Sequence, residues 1–263
     1  MKYYGSSGYM YNGIVEGTEE NYRNYSMGFP YKNNVDSNEK TWKNHSEIMR
    51  QSTQRSNDMS FIMMMNSLHG IVAVADSKST VQNSVEEKNR RTQKVFKASN
   101  YLLATWGNNR IIKSKIPIKV EDVLNLLIER FPDDFRKVLD SFQELLYENN
   151  HSMNDIYNFF IGGHYKCKEF PGNDGYFIKE YKVSSEGIDC LNSQQAISNC
   201  RYAGVVELMP RNLSINPNWD VFQLEEKGTL LLQSIIEIGD AFLPYNPVGG
   251  DIQVVSYTVE DNH

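Results

Sequence analysis

The chain has 263 residues, of which 40% are apolar, so it can bury a sizeable core as one large or two small domains. A net charge of -6 and a pI near 5.5 argue against a nucleic acid or an anionic membrane as partner, because both are recognised through basic faces. No run approaches the roughly 18 apolar residues of a membrane span, and the opening MKYYGSSGYMYNG lacks the apolar stretch of a secretory signal, so the expectation is a soluble, cytoplasmic protein.

Residues 1–58 are rich in Tyr, Asn, Ser, Gly and Glu and nearly free of aliphatic side chains, too few to offset chain entropy. They are expected to form a disordered extension or propeptide, with at most a thin helical stripe over 38–54. Residues 59–263 are expected to form the folded domain. Phe61 to Ser67 and Ile71 to Ala75 read as strands joined at His69-Gly70, and Val95 to Lys97 and Tyr101 to Trp106 as a second hairpin. Helices are predicted over Val120 to Phe131 and Asp134 to Tyr147, separated by Pro132. Strands return at Ile156 to Gly162, Gly175 to Val183 and Ala196 to Tyr202. A long helix over Val221 to Phe242 precedes a last strand at Ile252 to Thr258. Strands, helices, strands, helix, strand is an order suited to two packed sheets with helices outside.

The chain has three cysteines, Cys167, Cys190 and Cys200, with no Cys-x-x-Cys spacing. Neither a disulfide framework nor a zinc site is indicated, and no cofactor is called for.

The stretch Met59 to Thr80, MSFIMMMNSLHGIVAVADSKST, carries chemistry-bearing residues at both ends of a hairpin. Ser60 is followed ten residues on by Gly70 and sixteen on by Asp76, which opens Asp76-Ser77-Lys78. Further along, TQKVFKASNYLLATWG contains Lys94 and ends on Gly107, and VGGDIQVVSYT leads into the closing strand. Together these segments resemble the β-type subunits of the proteasome and its bacterial relatives, within the N-terminal nucleophile hydrolases. The resemblance spans Ser60 to Glu260 and implies an α+β fold, specifically a four-layer αββα sandwich. It implies that Ser60 is the nucleophile, Lys94 the catalytic lysine, Asp76 its holder and Gly107 the donor to the oxyanion. It further implies a peptide or unfolded-protein substrate and a homo-oligomeric ring, and leaves an unfoldase partner open.

Those residue types belong together chemically. A chain-terminal Ser carries its own base in an α-amino group whose pKa of about 7.7–8.0 lies near working pH. A nearby ammonium favours the neutral amine and the forming alkoxide, a carboxylate holds that ammonium, and a backbone N–H stabilises the oxyanion. Each residue also has a plainer role open to it. Ser60 can be a strand-start serine, Asp76 a strand terminator and Lys94 part of a solvated basic loop with Arg90, Arg91 and Lys97. His69 reads as a turn residue, His164 as a strand-edge one, and Met63 to Met65 as core packing or a pliable pocket wall.

The chain departs from the family pattern where Tyr245 and Val248 stand in place of a supporting Asp and Ser, and where Met59 replaces the glycine before the nucleophile. Two functions follow: an N-terminal-nucleophile peptidase or amidohydrolase, or a catalytically inactive scaffolding or binding subunit.

Overall fold

The computed structural model describes residues 60–79, 90–113, 116–149, 155–166, 175–192, 198–204, 209, 213–243 and 246–259, within a compact unit that runs Gln54–His263. The expectations placed on residues 1–58, Met59, Cys167 and Tyr245 lie outside the described residues.

The fold is α+β, with antiparallel sheets and few helices. Strands β1 (Phe61–Asn66) and β2 (Ile71–Asp76) form the expected hairpin, with Ile62 opposite Ala75 and Asn66 opposite Ile71. Ser67 N–H donates to the Gly70 carbonyl to close its turn. Gly70 is buried, and a Cβ there would run into Val221 at the start of the long helix. The short strands β3 (Lys78–Ser79) and β4 (Arg90–Arg91) pair with each other. β5 (Val95–Lys97) and β6 (Tyr101–Gly107) form the second hairpin, and β7 (Arg110–Lys113) and β8 (Ile116–Lys119) a further two-stranded ribbon.

Helix α1 (Val120–Arg130) buries Val120, Val123, Leu124 and Ile128 at spacings of three and four, and Pro132 follows its last turn. Helix α2 (Phe135–Glu148) starts where the Asp134 side chain accepts from the N–H groups of Arg136 and Lys137, and it buries Val138, Leu139, Phe142 and Leu146. Then come β9 (Tyr157–Tyr165), β10 (Gly175–Ser184), β11 (Gly187–Asn192) and β12 (Asn199–Gly204). Helix α3 (Val221–Phe242) has the predicted bounds and opens with a capping box between Asp220 and Gln223. β13 (Ile252–Tyr257) closes the order.

Among the described residues the larger sheets run β12-β1-β2-β13 and β11-β10-β9-β6-β5, and every strand pair is antiparallel. The strict alternation of β1 and β2 sorts their side chains. Ile62, Met64, Ile71, Ala73 and Ala75 meet Leu102, Ala104, Trp106, Phe160 and Ile178 of the second sheet. Phe61, Met63, Met65, Val72 and Val74 pack on Leu224, Leu232 and Ile235 of α3 instead. A third cluster joins Leu103, Phe159 and Ile161 to Leu124, Val138, Leu139 and Phe142 of α1 and α2. The three methionines are therefore core on both faces of one strand, and the pocket-wall alternative falls away.

Several strands were not anticipated. β3, β4, β7 and β8 are two to four residues long and carry no usable alternation. β11 is a sheet edge whose Asp189, Cys190 and Leu191 are exposed, so no apolar period marks it. The strand expected over Ala196 to Tyr202 begins instead at Asn199 and extends to Gly204.

Candidate functional site

Asp76 ends β2 and Lys94 immediately precedes β5, one on each sheet, and their side chains meet in the interior. Lys94 Nζ donates to Asp76 Oδ1 at 2.8 Å and to the Lys78 carbonyl at 2.7 Å. Asp76 is 0% exposed and Lys94 5%. The carboxylate is further bound by two backbone donors, Phe61 N–H to Oδ1 at 2.8 Å and Gly249 N–H to Oδ2 at 3.2 Å. Burial pushes Asp76 above the ordinary carboxylate value, opposed by the charge and hydrogen bond of Lys94 and by those two N–H groups. Burial likewise pushes Lys94 below the ordinary ammonium value, opposed by Asp76. Each partner opposes the loss of charge that burial favours in the other.

The main chain around the pair is held from two sides. Gln253 on β13 accepts from Lys94 N–H at 2.8 Å through Oε1 and donates Nε2 to the Thr92 carbonyl at 2.7 Å, clamping the segment that delivers Lys94. Ser77 N–H donates to the Asp251 carbonyl, and Ser77 Oγ accepts from Asp251 N–H at 2.7 Å. Gly250 sits at φ 78 against that hydroxyl, where a Cβ would collide with it.

Ser60 is half-buried, and the peptide linking it to Phe61 supplies the N–H that Asp76 accepts. Its carbonyl is crowded by Gly204, opposite Phe61 on β12, where φ is +98 and any Cβ would overlap the Ser60 carbonyl oxygen. Gly107 closes β6 at φ 91, two residues beyond Thr105, whose N–H donates to the Lys94 carbonyl at 2.9 Å. Lys94 is thus not part of a solvated basic loop, and Asp76 does more than terminate a strand. His69 is an exposed turn residue whose N–H donates to Ser67 Oγ. His164 lies on β9 against the Tyr176 ring. Val248 is buried against the α3 side of the first sheet and offers no polar group.

Sequence reasoning did not single out Gln253 or Asn246, because an amide that grips main chain from a distant strand or loop leaves no motif. Among the described residues no three His, Cys, Asp or Glu side chains come together to hold a metal, and no helix is long and apolar enough to cross a membrane.

The chain matches no protein-family model and no curated protein. Among solved structures it is similar to Anbu (ancestral beta-subunit) from Yersinia bercovieri, with 13% identity and a TM-score of 0.45, covering 77% of this chain and 84% of that one. It is also similar to an Anbu mutant from Hyphomicrobium sp. strain MC1, with 14% identity and a TM-score of 0.43, covering 76% and 81%. Likeness at this level assigns no family. Membership among the β-type proteasome subunits, expected from the Ser60, Gly70 and Asp76 spacing, is corrected accordingly: no family model or curated relative carries it. The physical reason is that a hairpin of two six-residue strands with a glycine at its turn and a carboxylate at its end produces that spacing whatever its ancestry.

Proposed function

We propose that this chain is an N-terminal-nucleophile peptidase or amidohydrolase, with Ser60 as nucleophile once it becomes chain-terminal. The observation that carries the proposal is the buried Lys94–Asp76 ion pair bound to the Ser60–Phe61 peptide. A buried ammonium with two acceptors, paired to a carboxylate that binds the peptide after Ser60, costs folding energy that a plain core would not. In this reading the Ser60 hydroxyl attacks the carbonyl carbon of a peptide amide while its α-amine takes the proton. Lys94 stabilises the forming alkoxide, Asp76 orients Lys94, and the Gly107 N–H receives the oxyanion. Collapse of the tetrahedral intermediate expels the amine, which takes the proton back, and water then hydrolyses the Ser60 ester.

The same reading takes residues 59–263 as one domain, with α1 and α2, the two sheets, and α3 as the layers of an αββα sandwich. It places copies of the chain in a closed cytoplasmic ring acting on peptides or unfolded proteins, with an unfoldase to feed it. Ser60 is exposed most simply by translation starting at Met59 followed by methionine removal, since a small residue follows. Self-cleavage after Met59 is disfavoured because a bulky side chain would crowd the strained turn that autolysis requires.

One observation favours a second reading. Val248 is apolar and buried where a supporting hydroxyl would be expected, which suits a silent scaffolding or binding subunit. The test is a chain beginning at Met59. Edman sequencing should return Ser60 first, and slow hydrolysis of small peptide amides should disappear in Ser60→Ala and in Lys94→Ala. A processed chain as inert as its Ser60→Ala variant across a broad peptide panel would leave the scaffold reading standing.

A further inference from the structure

We propose that Asn246 is a positioning residue, which fixes the Asp76–Lys94 pair from the last turns of α3. This rests on the reading of Ser60, Asp76 and Lys94 as a hydrolytic site, but its geometry stands apart from any reaction. The Asn246 side chain is 7% exposed and fully engaged. Its Nδ2 donates to the Ile236 carbonyl at 2.9 Å and to Asp240 Oδ1 at 2.8 Å, while its Oδ1 accepts from Val248 N–H at 3.0 Å. The amide seats against α3 only because residue 239 is glycine, where a Cβ would strike all three of its terminal atoms.

From there two routes lead to the pair. Along the chain, Asn246 sets Val248 and hence Gly249, whose N–H binds Asp76 Oδ2. Across it, the Asn246 carbonyl accepts Lys78 Nζ at 2.6 Å, Lys78 N–H donates to the Gly249 carbonyl at 2.9 Å, and the Lys78 carbonyl accepts Lys94 Nζ. The contacts close a loop through Asn246, Gly249, Asp76, Lys94 and Lys78. Each side-chain nitrogen and oxygen in it has a partner, which is what positions a buried charge pair well. The support that Val248 does not give is supplied by its neighbour two residues earlier.

The experiment compares the full chain with Asn246→Ala, Asp240→Ala and Asp240→Asn by amide hydrogen exchange read residue by residue, and by hydrolysis of a peptide amide. Expected in Asn246→Ala is faster exchange at 248–251 and also at Phe61, whose N–H is held by Asp76 Oδ1, with the middle of α3 still protected. Hydrolysis should lose about 10- to 100-fold in kcat with KM little changed. Asp240→Ala, an exposed and milder change, should give the same pattern weakly, and Asp240→Asn, which still accepts the Asn246 donor, should stay near the parent. Faster exchange confined to 248–251, with Phe61 unchanged, would overturn the proposal and leave Asn246 as a loop brace. If Asn246→Ala unfolds, the Asp240→Ala comparison decides on the same criterion. If the parent chain hydrolyses nothing, the hydrolytic reading fails while the exchange result still decides the role of Asn246.

Discussion

Asp76 and Lys94 show what a single buried charge costs when its partner is removed. Lys94→Met leaves a carboxylate at 0% exposure with two backbone donors but no counter-charge, and an orphaned buried charge of this kind typically costs about 3–5 kcal/mol. Urea unfolding should show that loss in Lys94→Met, and the Lys94→Met, Asp76→Asn double variant should regain part of it, because the neutral amide can still accept one N–H. A double variant as unstable as the single one would mean that the charge is not the cause. Cys200 makes a second case. Burial pushes its thiol from the ordinary 9.0 up to about 12, against the opposing charge of Arg201. The folded thiol therefore keeps its proton where the unfolded one loses it, so this group's contribution to stability is full below pH 9.0 and declines as pH rises toward 12. Peptide mapping after iodoacetamide at pH 8.5 should find exposed Cys190 alkylated well before Cys200. Equal rates would show that Cys200 is not shielded.

The strands and helices owe their order to local signals that agree with their packing. α3 carries its own start, with Asp220 accepting from Gln223 N–H at 2.7 Å and Gln223 returning a bond to Asp220 N–H at 3.1 Å. Removing that box with Asp220→Ala should cost about 1 kcal/mol, seen as a fall of about 2–4 °C in Tm for a domain of this size. β12 is more exacting than its half-buried residues suggest. Gly204 is held at φ +98 against the Ser60 carbonyl, so Gly204→Ala combines a disfavoured backbone with a collision. It should cost at least about 1–3 kcal/mol, and it should displace Ser60 while Gly187→Ala, where a Cβ meets nothing, leaves stability nearly unchanged. Comparing the two unfolding midpoints checks this.

The two sheets meet face to face through Ile62, Met64, Leu102, Ala104, Trp106 and Phe160, and the ion pair lies where the end of β2 approaches the start of β5. Outside that core, α3 keeps Phe222 at 74% and Phe242 at 80% exposure, large apolar rings that a lone subunit leaves in water. The proposed closed ring would cover such faces. Light scattering at micromolar concentration should accordingly find a homo-oligomer of defined mass, and a strict monomer there would count against the ring.

The elements with strong local grammar were legible in the residues alone. β1, β2, β5 and β6 follow from short apolar runs between turn residues, α1 and α2 from apolar spacing broken at Pro132, and the bounds of α3 coincide with those expected. Asp76 and Lys94 were named through the resemblance alone, since local pattern made the one a strand terminator and the other part of a basic loop. What no string of residues could settle was which side chains meet across the sheets. Eighteen positions separate Asp76 from Lys94, and the Gln253 clamp and the Asn246 brace reach the same site from about 160 residues further along. Those contacts exist only after the two sheets stack, because a buried amide or carboxylate takes whichever donors and acceptors packing brings within about 3 Å, and water is no longer there to serve instead. β11 and the short ribbons escaped notice for the converse reason: they are strands by virtue of a neighbour's hydrogen bonds, not of any apolar period of their own.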